Sequence, residues 1–192
     1  MKRGATRQEV IRTTQDLIAR NGIRAVRVDE IVAMLGISKR TLYEMFADKN
    51  DLVAACLEEI SREQRRRIAD RICGTPGNAL LKSWRLIEEY VDGLYVVERS
   101  FLADLRRKGS FAEPFAEHRD FWSRELEAAL SACCSERLLL PEVDVPGLVR
   151  RTMDLLYEMR LSGMNREELG RFSRTLLRGV ASQQGVEIMD VG

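Results

Sequence analysis

The chain has 192 residues, of which 45% are hydrophobic and 32% are charged. This apolar content is enough for one or two folded domains and excludes a disordered chain. The formal net charge of +1 at pH 7 does not by itself indicate a nucleic-acid partner. Residues 1–50 carry ten basic and six acidic side chains, whereas the rest of the chain carries 21 basic and 24 acidic ones. The positive charge is therefore concentrated in the amino-terminal quarter.

The residue usage predicts an all-α fold. Only 4 Pro and 13 Gly interrupt the chain, and helix-forming Leu, Ala, Glu and Arg dominate it. The breaks divide the chain into about nine helices with short loops, an arrangement that suits an antiparallel bundle, and no segment predicts a strand. Thr6 and Glu9 have the pattern of a capping box at the start of the first helix. The last four helices are expected near residues 95–107, 114–137, 146–161 and 165–184. The expected breaks within the later part of the chain are Gly74-Thr75-Pro76-Gly77, Asp92-Gly93, Lys108-Gly109-Ser110, Pro141 to Pro146 and Ser162-Gly163.

Several classes of protein are disfavoured by what the sequence lacks. No apolar segment follows the basic start of the chain, and no stretch approaches the ~18 apolar residues of a membrane span. The four cysteines form no CxxC pair, so we expect reduced thiols packed as small hydrophobes in a cytoplasmic protein, without a metal or cofactor. With one histidine, no nucleophile elbow and no glycine-rich phosphate loop, an enzyme is not expected.

Residues 28–46 have the pattern of a helix-turn-helix. Apolar residues at spacings of three and four predict a short helix over residues 28–35. Gly36 then supplies a sharp turn, and Ser38 is a good N-cap for a second helix. The outer face of this second helix is polar, as expected of a helix that lies in the major groove of DNA.

The side chains on that outer face are suited to DNA. Lys39 and Arg40 can donate to guanine O6 and N7, and hydroxyl groups beside them can bond bases or phosphates. Lys49 stands at the start of the next helix, where a phosphate is attracted. A solvated helix that merely carries charges is the alternative. The sequence thus predicts DNA-binding roles for Ser38, Lys39, Arg40, Thr41, Tyr43 and Lys49.

A family resemblance rests on a set of residues within residues 6–57. They are Gly22, Ile31-Val32, Leu35-Gly36-Ile37-Ser38, Thr41-Leu42-Tyr43, Phe46 and Lys49-Asn50-Asp51-Leu52. With them the segment resembles the DNA-binding domain of the TetR/AcrR family. The resemblance implies a homodimer with a three-helix DNA-binding head, residues 1–50, and a helical effector-binding and dimerising body, residues 51–192. It also implies a transcription repressor that leaves a palindromic operator in double-stranded DNA when a small effector binds.

Two residues of the motif raise separate questions. The family usually has Ser or Thr at the cap of the first motif helix, and this chain has Arg27, which weakens the cap. Two roles are open to Arg27: contact with a phosphate, or exposure to solvent. Glu44 is a carboxylate on the DNA-facing helix, and it either accepts from cytosine N4 or faces outward to solvent.

The resemblance further implies a ligand cavity in the body, and such cavities are lined mainly by apolar and aromatic residues. The candidates to line it around an apolar or amphipathic effector are Trp84, Phe115, Trp122, Met153 and Tyr157. Each is equally open to a role in plain core packing. His118 lies at helical spacing from two of them and is either a core imidazole or a polar group of the cavity. Cys133 and Cys134 as a thiol sensor are a minor alternative, because no basic neighbour at helical spacing favours the thiolate.

The last two predicted helices carry more apolar surface than the core of one protomer can cover. A four-helix interface, formed by two helices from each of two copies, would bury it. Its two-fold symmetry would place two recognition helices on a palindrome. The residues expected in this interface are Leu148, Leu155, Leu169, Phe172, Leu176 and Val180.

A helical protein-interaction module that has lost DNA binding is the main alternative function. Glu44 and the nearly neutral net charge favour this alternative, whereas the exposed cations and Tyr43 on the motif oppose it.

Overall fold

The computed structural model describes residues 5–73, 77–107 and 111–191, and these ranges contain ten α-helices. They are Arg7–Asn21 (α1), Val28–Leu35 (α2), Lys39–Met45 (α3), Lys49–Cys73 (α4), Ala79–Tyr95 (α5), Arg99–Arg106 (α6), Ala112–Ser135 (α7), Val145–Ser162 (α8), Arg166–Val180 (α9) and Gln183–Val191 (α10). The predicted all-α class is confirmed. Within the described ranges, extended backbone pairs only at an isolated antiparallel bridge between Leu139 and Ala181. No helix there is both long and apolar enough to cross a bilayer.

The additional helix arises because α9 ends earlier than predicted. The sequence predicted one helix over residues 165–184, but extended backbone begins at Ala181, with φ −75° and ψ 145°. Leu140 N donates to Val180 O, and Ser182 N donates to Leu138 O, both at 2.9 Å. These long-range bonds hold the chain extended after α9, so that α10 starts as a separate helix.

The predicted break at Asp92-Gly93 is wrong, because α5 continues through it to Tyr95. Leu94 is buried, and its carbonyl accepts a bond of 3.0 Å from Arg160 Nε. The Tyr95 hydroxyl donates to Met164 O at 2.7 Å. These tertiary contacts outweigh the ~1 kcal/mol by which glycine disfavours a helix interior. The helix expected over residues 95–107 is accordingly the shorter α6.

The other predicted breaks have separate outcomes. Gly163, with φ 103°, ends α8 as expected, and α8 begins within the break predicted between Pro141 and Pro146. Of the break at residues 74–77 only Gly77 is described, and the break at residues 108–110 lies outside the described residues.

One compact unit comprises the chain up to Gln64 together with Val96–Ala116. Its first helix begins at the predicted capping box, in which Thr6 and Glu9 satisfy each other's backbone amides. Although α6 is distant in sequence, it packs against α1, and Glu98 N donates to Ala19 O at 2.8 Å. The core of this unit includes the fully buried residues Val10, Ile18, Ile31, Leu42, Phe46 and Leu52.

The second compact unit comprises Arg65–Tyr95 and the chain from Glu117 onward. In it α5 packs against α8, α9 and α10. Trp122 is 2% exposed and meets the Tyr90 ring edge to face, with the ring centroids 5.3 Å apart. Edge-to-face packing of this kind stabilises an aromatic pair beyond the area that it buries.

Candidate nucleic-acid interface

The turn of the predicted helix-turn-helix is made by Gly36. Its backbone is left-handed, with φ 63° and ψ 31°, and its N–H donates to the carbonyls of Ala33 and Val32 at the end of α2. A Cβ placed on Gly36 would meet nothing within 4 Å. The conformation, and not the space, therefore favours glycine here.

The start and the inner face of α3 are held by defined contacts. Ser38 Oγ accepts from Thr41 N at 3.0 Å and lies 2.9 Å from Thr41 Oγ1. Leu42 and Phe46, the predicted inward positions, are at most 1% exposed. The cap and these anchors leave the opposite side of α3 facing solvent.

The exposed side of α3 carries the predicted base-contacting residues. The Arg40 side chain is 89% exposed and Tyr43 is 47% exposed. Thr41 is half-buried beside its hydroxyl partner. Arg27 is exposed and makes no side-chain cap on α2, so the expected weak cap is confirmed.

Both cations of α3 are held in ion pairs. Lys39 Nζ lies 2.6 Å from Asp29 Oδ1 of α2, and the hydrogen bond that Lys39 donates to Asp29 raises the pKa of Lys39. Arg40 Nε lies 3.1 Å from Glu44 Oε1, one turn along α3. Neither ion pair was predicted from the sequence. Asp29 lies on the other helix of the motif, and Glu44 was expected to face cytosine or solvent. Exposed pairs of this kind contribute little to folding stability.

Two carboxylates cap the start of α4, where a phosphate site was predicted. Asp48 Oδ1 accepts from Asp51 N, and Asp51 Oδ2 accepts from Ala47 N, both at 2.8 Å. Lys49 is half-buried; burial lowers its pKa, and the nearby Asp104 carboxylate acts in the opposite direction. These acidic caps reduce the attraction of this terminus for phosphate, and the contact through Lys49 stays a prediction.

Known proteins match this amino-terminal segment. Residues 10–56 match the family model of bacterial regulatory proteins of the tetR family. This match places the amino-terminal segment of the chain in the tetR family. An uncharacterised HTH-type transcriptional regulator found in two strains of Mycobacterium tuberculosis is 45% identical over 51 residues, which make up 27% of this chain. The match spans only 21% of the length of these curated relatives.

Solved structures extend the likeness to the whole fold. A putative transcriptional regulator from Saccharomonospora viridis in complex with choline has a TM-score of 0.80 and 18% identity, over 92% of this chain and 98% of its own. A TetR-family regulator from Agrobacterium tumefaciens has a TM-score of 0.75 and 18% identity, over 92% and 97%. The regulator FadR from Bacillus subtilis in complex with stearoyl-CoA has a TM-score of 0.70 and 18% identity, over 90% and 96%. At these identities the likeness shows the TetR-family fold alone.

The predicted effector residues do not share one environment. Trp122, Met153 and Tyr157 are buried in the second unit. Trp84 is half-buried, with the Arg174 guanidinium 5.8 Å from the centre of its ring. Phe115, which is also half-buried, belongs to the first unit.

His118 lies in an aromatic cluster within the second unit. Its ring centroid is 6.5 Å from that of Trp122. Burial and the Arg65 guanidinium lower the pKa of His118 to about 4. The imidazole is therefore neutral at pH 7, as expected of a residue that packs against apolar rings.

An open pocket lies in the second unit, among residues of α5, α7, α8 and α9, and its volume of about 450 Å³ includes solvent at its mouth. None of the described residues that line it is charged. Tyr90, Thr152 and Ser173 contribute hydroxyl groups, and those of Tyr90 and Ser173 donate to the carbonyls of Met153 and Gly170. Of the predicted effector residues only Met153 lines this cavity, whereas Leu148, Leu176 and Val180, predicted for the dimer interface, also line it.

The remaining predicted interface residues differ in exposure. Leu155 is 41% exposed and Leu169 is fully buried within its own protomer. Phe172 is half-buried, as are the cavity-lining Leu148, Leu176 and Val180. Leu155 therefore presents more apolar surface than any other residue of this set.

The adjacent cysteines of α7 have opposite environments. Cys133 is buried, with its Sγ 3.2 Å from Ser83 Oγ, and burial raises the pKa of its thiol. Cys134 is exposed. Since the thiolate is the reactive form, the buried Cys133 is the less reactive of the two.

Proposed function

We propose that this TetR-family chain is a non-enzymatic, homodimeric transcription regulator of the cytoplasm that binds a palindromic operator. In this proposal it acts as a repressor and leaves the DNA when a small effector binds. The observation that carries the proposal is α3, whose inner side is anchored by Leu42 and Phe46 while Arg40 and Tyr43 stand exposed on its outer side. That arrangement suits a recognition helix of the helix-turn-helix type.

The side chains of α3 divide into base-contacting and phosphate-contacting groups. The Arg40 guanidinium has the planar pair of donors that matches guanine O6 and N7. The Lys39 ammonium is a flexible point charge that suits guanine or a phosphate. Hydroxyl groups and cations around the motif suit phosphates, and these belong to Arg27, Ser38, Thr41, Tyr43 and Lys49. The phosphate contacts, among them that of Lys39, would orient the protein, and the contact of Arg40 with a base would select the sequence.

A homodimer would place two such helices on the two halves of a palindrome, whose half-sites lie roughly 34–36 Å apart. The exposed Leu155 and the half-buried Phe172, Leu176 and Val180 on α8 and α9 support this arrangement. Covering them with a second copy would remove apolar surface from water.

The cavity of the second unit supports a ligand-responsive regulator. Its uncharged lining, with hydroxyl groups that bond the protein's own carbonyls, suits a neutral and largely apolar effector. The relatives from Saccharomonospora viridis and Bacillus subtilis were solved with choline and with stearoyl-CoA. Roles for Trp84, Phe115, His118, Trp122 and Tyr157 in effector binding remain part of the proposal.

The deciding experiment is selection of binding sites by the wild-type chain from a library of random duplexes. We expect enrichment of a palindrome with two equal half-sites. Arg40→Ala should abolish preference at one base pair in each half-site, whereas Lys49→Ala should weaken all duplexes alike. If no sequence is enriched, the proposal is contradicted and a helical protein-interaction module is favoured. In that case the ion pairs with carboxylates would be enough to explain the presence of Lys39 and Arg40 on α3.

A further inference from the structure

Glu44 binds one particular part of the Arg40 guanidinium. Its carboxylate oxygen Oε1 accepts a hydrogen bond of 3.1 Å from Arg40 Nε. The pair of parallel donors that fits guanine O6 and N7 can be formed by the two Nη nitrogens at the far end of the same planar group. Glu44 therefore contacts the guanidinium through the one nitrogen that this end-on contact with guanine does not use.

We propose that Glu44 is a specificity-determining residue that positions Arg40 for a guanine, an inference that rests on the proposed DNA-binding function. A free arginine side chain has several rotatable bonds and binds a phosphate as readily as a base. Fixing Nε to a residue one turn further along α3 restricts these rotations. The end of the guanidinium is then oriented before DNA arrives, so less conformational entropy is lost on binding the base.

The charge of Glu44 has a separate effect. Its side chain is 61% exposed on α3, and a carboxylate there repels every phosphate near the recognition helix. This repulsion lowers the affinity for operator and random duplexes alike. Only a duplex with guanine at the right position compensates for it through the bidentate contact, so binding to random DNA is kept weak.

The Asp29–Lys39 pair provides a matched control. Asp29 is also an exposed carboxylate paired with a cation of α3, at 2.6 Å. Lys39, however, offers a rotating ammonium group without a planar pair of donors. Removing Asp29 should therefore raise affinity for all DNA without changing the preference for any base.

The experiment measures dissociation constants of four proteins: wild type, Glu44→Ala, Glu44→Gln and Asp29→Ala. Each is titrated with the operator selected by the wild-type chain, with every single-base variant of one half-site and with a random duplex. Arg40→Ala, titrated in the same way, identifies the base pair that Arg40 contacts. Thermal unfolding of each variant verifies that the fold is unchanged, as expected from the exposure of both carboxylates.

We expect Glu44→Ala to bind random DNA more tightly and to lose preference at the base pair identified by Arg40→Ala. A bidentate arginine–guanine contact favours guanine over other bases by roughly 5- to 150-fold. We expect Glu44→Ala to reduce this preference by about tenfold. Glu44→Gln, whose amide oxygen still accepts from Nε, should keep this preference while also binding random DNA more tightly. Asp29→Ala should keep the preference at every position.

Three results would overturn the inference about Glu44 while leaving the proposed function intact. In the first, Glu44→Ala keeps the wild-type preference at every position. In the second, it loses affinity by the same factor at all positions. In the third, the preference is lost at a cytosine that Arg40→Ala leaves unaffected, which would mean that Glu44 contacts that base directly. A wild-type chain without any sequence preference would overturn both the inference and the proposed function.

Discussion

Asp29 and Lys39 join the two helices of the motif through an ion pair of 2.6 Å between Oδ1 and Nζ. Their side chains are 72% and 55% exposed, so the pair contributes little to folding. Its importance is for binding, because a DNA phosphate must compete with Asp29 for the Lys39 ammonium. The two groups together determine how much of the charge of α3 is available to DNA.

Lys39→Ala should weaken binding to operator and random duplexes alike. Loss of one phosphate contact lowers the slope of log affinity against log salt concentration by about 0.9 for duplex DNA. Titrations between 50 and 200 mM salt would measure this slope. Arg124→Ala, which removes an exposed cation of α7, should leave the slope unchanged. An unchanged slope in Lys39→Ala would mean that this ammonium does not contact a phosphate.

Gly36→Ala should destabilise the chain, because its φ of 63° costs an L-residue roughly 1–2 kcal/mol. Gly179→Ala is the matched control. A Cβ there also meets nothing within 4 Å, but Gly179 lies inside α9 and alanine should stabilise it by about 0.4–1 kcal/mol. Urea unfolding at one protein concentration would measure both changes. Equal effects of the two substitutions would argue against a conformational requirement at Gly36.

The stability of the chain should fall as the pH is lowered from 6.5 towards 4 in a manner that depends on His118. Its pKa is lowered from 6.5 to about 4 in the fold, so in this range the unfolded chain binds the proton and the folded chain does not. The resulting slope in the free energy of unfolding is at most about 1.4 kcal/mol per pH unit. The free energy of unfolding of His118→Asn, measured by urea unfolding, should fall less steeply over this range than that of the wild type. Carboxylates titrate in both proteins, so the difference between the two slopes reports His118. Parallel curves would contradict an imidazole that stays neutral in the fold over this pH range.

Leu155→Arg should convert a homodimer into monomers, because it places a charge in a surface that we propose to be buried between two copies. Leu155 is 41% exposed, so the change leaves the protomer core intact. Leu140→Arg is the control at another leucine of similar exposure, 38%. Sedimentation velocity at micromolar concentration would distinguish the two. A wild-type mass of one chain, or a dimeric Leu155→Arg, would contradict the proposed interface.

A neutral apolar effector should bind in the cavity of the second unit and weaken operator binding. A screen of uncharged compounds for raised melting temperature would find it, and Thr152→Trp, which fills the cavity at one of its lining residues, should prevent that rise. By linkage, operator DNA must weaken effector binding by the same factor, typically about 5- to 150-fold. Equal effector affinities with and without operator would leave a DNA-binding dimer that no ligand regulates.

The local features of the site could be predicted from the sequence. The capping box of Thr6 and Glu9, the turn at Gly36 and the cap at Ser38 each depend on backbone and side-chain groups no more than four residues apart. Such short-range bonds are determined by residue type and spacing alone. The helix-turn-helix and the outward position of Arg40 follow from them.

The long-range features were decided by the tertiary structure. Helix α5 continues through Gly93 because Leu94 and Tyr95 are held by α8 and by Met164 in the loop that follows it. Helix α9 stops at Val180 because its carbonyl accepts from Leu140 N. The pairing of Asp29 with Lys39 likewise depends on the angle between two helices. Helical periodicity describes which face of a helix is apolar but not which distant group will lie against it. Bonds between distant residues are formed only when the chain has folded, and there they outweigh local preferences of about 1 kcal/mol.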